Sequence, residues 1–201
     1  MLQLPLAIES AYLQGEGMIG KKNVVFGFLY LVLTAALGPY MVVNQFPGID
    51  EAKAEKQQIV GEVQQFKADN FEKDLDPMTA EDIAKSNTSG LLSLNKVYNA
   101  EDPKNMVKAG PHAHGNLEAL LNIVAGIALC FIAVTRVFKQ AISWLFILGT
   151  VFHSGVLYLM VMFEFTAIAP IAPAGPLMLL AALLLAGVAA FMGFKGELVR
   201  D

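Results

Sequence analysis

Four stretches of this chain are apolar and nearly free of charge over the length a bilayer demands, and this limits the fold more than any other feature. A helix crossing the hydrocarbon core needs about 20 apolar residues. Residues 24–43 and 141–163 carry no charge, and 177–194 extend an uncharged stretch that begins at Phe165. Residues 117–134 qualify apart from Glu118 near their start. Because lipid offers the backbone no hydrogen-bond partners, such segments must be helical. The pattern predicts an all-α integral membrane protein: a four-helix transmembrane bundle with a large, partly helical extramembrane loop between spans 1 and 2. The expected segments are an N-terminal interfacial segment (1–22), span 1 (23–45), the loop (46–109), span 2 (110–138), span 3 (139–164), and a connection with span 4 and a short tail (165–201).

Charge is distributed to match. Charged residues make up 16 % of the chain, against about a quarter in soluble domains, and 20 of the 32 lie in 46–109. The remainder is too apolar for a disordered chain, a nucleic-acid binder or an ordinary soluble enzyme. The single cysteine, Cys130, excludes a disulfide framework and a cysteine-based metal cluster. Residues 1–22 lack the basic start of a signal peptide and contain Glu9 and Glu16. Lys21, Lys22, Arg136, Lys139, Lys195 and Arg200 flank the spans on one side, and the 165–175 connection has no Lys or Arg. The positive-inside rule then places both termini in the cytoplasm and 46–109 outside, as in a bacterial inner-membrane protein.

Within the loop, residues 50–70 read as a helix with Ile59, Val63 and Phe66 on one face. Thr79 and Asp82 resemble a capping box opening a short second helix. Asp76-Pro77, Asn87-Thr88-Ser89-Gly90 and Asp102-Pro103 are expected to punctuate the region. With 12 acidic and 8 basic residues, the loop reads either as a solvated cap or as a docking surface for a partner. Gly110-Pro111 and Gly175-Pro176 mark helix starts, since proline at the first helical position gives up a bond that the helix does not make there.

The three histidines, His112, His114 and His153, all fall at or inside predicted spans. His114, Glu118 and Asn122 stand four residues apart, so they form one stripe descending about 12 Å into the outer half of the bilayer. Polar groups at that depth are costly and should face the bundle interior. His112 and His114 lie about 200° apart on a helix. In the third span Thr150, His153, Ser154 and Tyr158 supply a facing polar surface, with His153 expected near the bilayer centre and Tyr158 level with Glu118 and Asn122. These residues can act as hydrogen-bonding glue between helices. They also make a ligand set: lone imidazoles suit haem iron, and histidines with a carboxylate suit a non-haem metal. Glu118 is expected to accept the second ring N–H of a ligating histidine and orient it. No serine or cysteine nucleophile, phosphate loop or dinucleotide fingerprint is present.

Ala113-His114 opening the second span, the pattern of Ser154, Tyr158 and Leu159 in the third, and the last span from Gly175-Pro176 to Phe194 together resemble styrene-oxide isomerase over roughly residues 109–194. The His-x-His at a span start is also similar to the haem-ligand helix of small relatives of haem-copper oxidase subunits. The isomerase resemblance implies a haem b ligated by His114, with His112 as the alternative, and ferric iron acting as a Lewis acid on an epoxide oxygen. It implies assistance from Tyr158, a nearby asparagine for which Asn122 is the candidate and Asn116 a competitor, and a trimer with haem between subunits. The outer loop here is longer, and Glu118 has no counterpart in that pattern. The alternative expectation is a non-catalytic accessory subunit of a larger membrane complex, of respiratory or oxidase type, docking through its acidic loop. Membrane lipid is a partner in either case.

Overall fold

A computed structural model of the protein describes residues 18–73, 76–199 and 201. The interfacial segment expected over 1–22 lies mostly outside these residues, as does Arg200. The described chain is helical almost throughout: α1 (Gly20–Ala35), α2 (Leu37–Asn44), α3 (Phe46–Ala68), the two-residue strands β1 (Glu72–Lys73) and β2 (Asp76–Pro77), α4 (Ala80–Val107), a π turn (Lys108–His112), α5 (Ala113–Leu129), α6 (Arg136–Thr150), a second π turn (Val151–Gly155), α7 (Val156–Phe163), a 3-10 segment (Thr166–Ile171) and α8 (Ala174–Gly193). Gly20–Asn44, Arg136–Phe163 and Thr166–Gly193 are each long and apolar enough to cross a membrane. The chain is thus an all-α membrane protein. α5, with 17 residues, is shorter than these three. The chain divides into two compact units, one formed by residues up to 36 together with 109–201 and the other by 37–108.

In the first unit α1 and α5 run antiparallel along a seam of small residues. A Cβ on Gly20 would lie 2.0 Å from the carbonyl oxygen of Gly126, and one on Gly27 2.6 Å from that of Ala119. A Cβ on Gly115 would lie 2.4 Å from Thr34 Cγ2. Side chains absent at these points let the two backbones touch, and in lipid such close packing substitutes for a hydrophobic drive between helices. On the other side α5, α6 and α8 enclose an apolar core of Ala125, Leu129, Ile132, Ile142, Phe146, Leu179, Ala182 and Ala189. α6 starts at Arg136 because Thr135 caps it, its Oγ1 accepting from the Phe138 N–H. The turn between α5 and α6 is accordingly 130–135, several residues before the expected boundary at 138/139.

That turn is strapped by the tail. Ala133 N–H donates to Gly193 O (2.7 Å), Lys195 N–H to Phe131 O (2.8 Å) and Val199 N–H to Cys130 O (2.8 Å). Lys139 is not a loop charge: it lies in α6, its side chain 1 % exposed and ion-paired with Asp201. Asp201 also accepts the Ile19 N–H at 2.6 Å. The reason is position, since Lys139 occupies the first turn of α6 and points inward, where the Asp201 carboxylate neutralises it.

The second unit is a helical hairpin. α3 and α4 are joined across the short β1–β2 pair, in which Glu72 pairs with Pro77 and Lys73 with Asp76. Lys53–Glu101 (2.7 Å) and Lys96–Glu55 ion pairs cross between the helices. The Thr79 cap holds: its Oγ1 accepts from the Asp82 N–H at 3.1 Å. The helix that follows is not short, however. It runs to Val107 through both Asn87–Gly90 and Pro103. Thr88 and Ser93 hydrogen-bond back to Ala84 O (2.8 Å) and Gly90 O (2.7 Å), so their hydroxyls do not compete with the helix. Pro103 removes one backbone donor, and the exposed face of the helix leaves the freed carbonyl to water.

Candidate functional site

The site is built where α5 leaves the first π turn and where the second π turn interrupts the long helix Arg136–Phe163. At Gly110 the backbone departs from helical geometry (φ −84°, ψ −107°), and Pro111 is buried just after it. This break starts α5 with His114 and Glu118 on one face. Val151–Gly155 forms the other π turn, and such an insertion rotates the side chains that follow it. His153 and Ser154 sit in it. Gly175, at the start of α8, presses on the same turn: a Cβ there would lie 2.4 Å from the backbone nitrogen of His153.

The result is a compact cluster. Ligand atoms of His114, Glu118 and His153 all lie within 4.8 Å of one another. The His114 and His153 rings meet edge to face, 4.7 Å between centroids. Glu118 is 3 % exposed. His153 Nδ1 is 2.5 Å from Glu118 Oε1, and Ser154 Oγ donates to Glu118 Oε2 at 2.6 Å. Tyr30 of α1 closes the far side, its hydroxyl 2.9 Å from Ser154 Oγ. A carboxylate in an apolar surround needs donors on both oxygens, and these residues supply them. His114 is the exposed member of the three.

One turn below, Asn122 is fully buried and fully engaged. Its Oδ1 accepts from Asn23 Nδ2 (3.0 Å), and its Nδ2 donates to Thr150 Oγ1 (2.9 Å) and to Glu118 O (3.0 Å). Asn23 Nδ2 also donates to Ser143 O (3.0 Å). Asn122 therefore ties α1, α5 and α6 beneath the cluster. His112 faces away from it: Nδ1 is 3.0 Å from Thr34 O on α1. Thr34 Oγ1 also donates to Asn116 Oδ1 at 2.8 Å. The two rings of the His-x-His thus diverge, as their angular separation on a helix requires. Tyr158 packs near Phe163, 6.2 Å between ring centroids, a turn beyond His153.

The expectation that His153 lies deeper than His114 does not hold, because the rings are in contact. Antiparallel neighbours joined by one turn share a depth when they are equally distant from that turn, and 114 and 153 stand at similar distances either side of 130–135. Counting outward from the turn also carries Tyr158 beyond Glu118, not level with it. The chief contribution absent from the sequence reading is α1. Asn23, Gly27, Tyr30 and Thr34 are spaced at 4, 3 and 4 residues, one polar and small-residue face on an otherwise apolar span. That period was visible without coordinates.

Residues 116–176 match the family described as "Protein of unknown function (DUF423)". The match takes in Glu118 and His153 but not His114 or α1. No curated protein and no solved structure matches the chain.

Proposed function

We propose that the chain is a four-span membrane protein whose second and third spans hold a metal centre. α5 is the fourth crossing helix beside α1, α6–α7 and α8. From Pro111, just after the break at Gly110, to Leu129 it supplies about 28 Å of helix at ~1.5 Å per residue. The observation that carries the proposal is the convergence of His114, Glu118 and His153 from two helices, one ligand atom of each within 4.8 Å of the others. Two imidazoles suit a first-row divalent metal, with Glu118 as the acceptor behind His153, and leave coordination positions open to a further ligand. A metal so placed supplies Lewis acidity toward an oxygen of that ligand. The resemblance to styrene-oxide isomerase favours iron held as a b-type haem and epoxide isomerisation as the reaction. The exposed imidazole of His114 is the ligand available to haem, and Tyr158 is the donor left for a substrate. Lys22, which bonds Gln140, together with Arg136 and Lys195 gathers at the tail-strapped end of the bundle. This favours that end as cytoplasmic and residues 46–109 as outside.

Purification in mild detergent, followed by metal analysis and an absorption spectrum, tests the reading. One metal per chain without a Soret band supports the small-ion centre, and a Soret band of matching stoichiometry supports haem. Absence of both under aerobic and anaerobic purification removes the metal reading. One observation favours the accessory-subunit reading in that event. Leu91, Leu92, Leu94 and Tyr98 are exposed on α4, in the hairpin unit, an apolar surface suited to a protein partner. Native mass measurement separates a homo-oligomer from a subunit of a mixed complex.

A further inference from the structure

We infer that Tyr30, on α1, is a positioning residue for the metal centre: through Ser154 it holds Glu118 so that Glu118 takes the Nδ1 proton of His153 and leaves Nε2 as that ring's ligand atom. The inference rests on the metal reading for its purpose, but its hydrogen-bond content stands without a metal.

The direction of the chain follows from donor counting. An ionised carboxylate only accepts. With Glu118 ionised, Ser154 Oγ, 2.6 Å from Glu118 Oε2, donates its one hydrogen there. With that hydrogen spent, the 2.9 Å contact between Tyr30 and Ser154 requires the phenol to donate and the serine to accept. On the other carboxylate oxygen the same argument makes His153 Nδ1, at 2.5 Å, the donor. A neutral imidazole with its proton on Nδ1 has its lone pair on Nε2. A carboxylate behind a ligating histidine fixes tautomer and ring orientation, and losing such a partner typically costs 10–100-fold in metal affinity.

Tyr30 matters because Ser154 has an alternative acceptor. Thr150 O lies 3.3 Å from Ser154 Oγ, one helical turn back. A phenol donating into Ser154 polarises its O–H toward the stronger acceptor, the carboxylate. Without the phenol, the serine can turn to the backbone, and Glu118 Oε2 loses its donor. The glycine seam is what brings Tyr30 within reach, since α1 contacts α5 closely enough for a side chain to span to the second π turn. Residues 116–176 of the family match do not include it.

The test uses the full-length protein in nanodiscs, with 15N-labelled histidine, above the imidazole titration range. In the metal-free wild type the His153 ring, assigned by its loss in His153→Gln, is expected as the Nδ1–H tautomer. Tyr30→Phe keeps the ring and removes only the hydroxyl. It should shift His153 toward a tautomer mixture and weaken Co2+ binding, used as a spectroscopic probe, by about tenfold. Ser154→Ala should do the same, and the double variant should add little, because the residues act in series. Thr34→Val, on the same helix but bonded to Asn116, should leave tautomer and affinity unchanged. An Nε2–H tautomer in the wild type overturns the inference. So does a Tyr30→Phe protein that loses thermal stability with unaltered tautomer and affinity. A wild type that shows the Nδ1–H tautomer and its dependence on Tyr30 but binds no Co2+ supports the hydrogen-bond assignment and overturns the metal reading instead.

Discussion

Glu118 shows how much a single residue can settle when it is a buried acid in an apolar helix. No lysine or arginine among the described residues pairs with it, so its surroundings must be donors, and His153 and Ser154 of the second π turn supply them. That Glu118 shares a face with His114 was legible from the four-residue spacing. That its histidine partner is His153 was not, because nothing in the local pattern of either helix fixes their mutual register. Two predictions belong here. His114→Ala and His153→Ala should each lower retained metal at least tenfold, whereas His112→Ala, whose ring is bonded to Thr34 O, should keep it. Metal content per chain after purification checks both. Asn122→Leu removes the amide that joins Asn23, Thr150 and the Glu118 carbonyl. Leaving such buried partners unmatched costs about 1–3 kcal/mol, so the variant should melt earlier in detergent even if it retains metal.

Helices were the more readable level, and where the reading failed the failures have physical causes. α3 and the α4 cap followed from periodicity and from Thr79. α4 outran its expected length because Gly90 and Pro103 are breakers only where the helix cannot satisfy itself otherwise, and here back-bonding hydroxyls and water do so. The hydrogen bond from Thr79 Oγ1 to Asp82 (2.6 Å) holds that carboxyl below its usual range. A depressed carboxylate stabilises the folded state above its unfolded pKa and ceases to as pH falls through the folded value. The first turn of α4 should therefore fray on acidification below about pH 4, and Asp82→Asn should abolish that pH dependence. Amide exchange over 80–84 measures it. The α1–α5 seam yields a harsher test. A side chain on Gly126 would start 2.6 Å from Gly20 O, and forcing packed backbones apart costs about 1–3 kcal/mol. Gly126→Leu should lower the melting temperature and, by drawing Tyr30 away from Ser154, lower metal affinity as well. Gly187→Leu, with nothing within 4 Å of its Cβ position, should do neither.

At the level of the whole molecule, the apolar stretches announced a membrane protein, while the tail strap left no trace in the sequence, since an ion pair between residues 139 and 201 has no local pattern. Removing one partner of a buried pair strands the other, at about 3–5 kcal/mol, whereas replacing both with apolar groups is often neutral or better. Asp201→Asn should thus be strongly destabilising and Lys139→Met with Asp201→Leu should recover most of the loss, read as melting midpoints. Burial of Lys139 also dictates how orientation is tested. Cysteines at exposed Ser89 and Arg136 should label from opposite sides of a sealed membrane, Ser89 from outside; the reverse pattern overturns the orientation. The glycine seam has a consequence for the order of synthesis. α1 leaves the ribosome with Asn23, Tyr30 and Thr34 on one face, and every residue of 37–108 must be made before α5 arrives to meet them. A span carrying that face is a poor guest in lipid by itself, so α1 must wait in the insertion machinery, or beside a stand-in helix, until its partner has been translated.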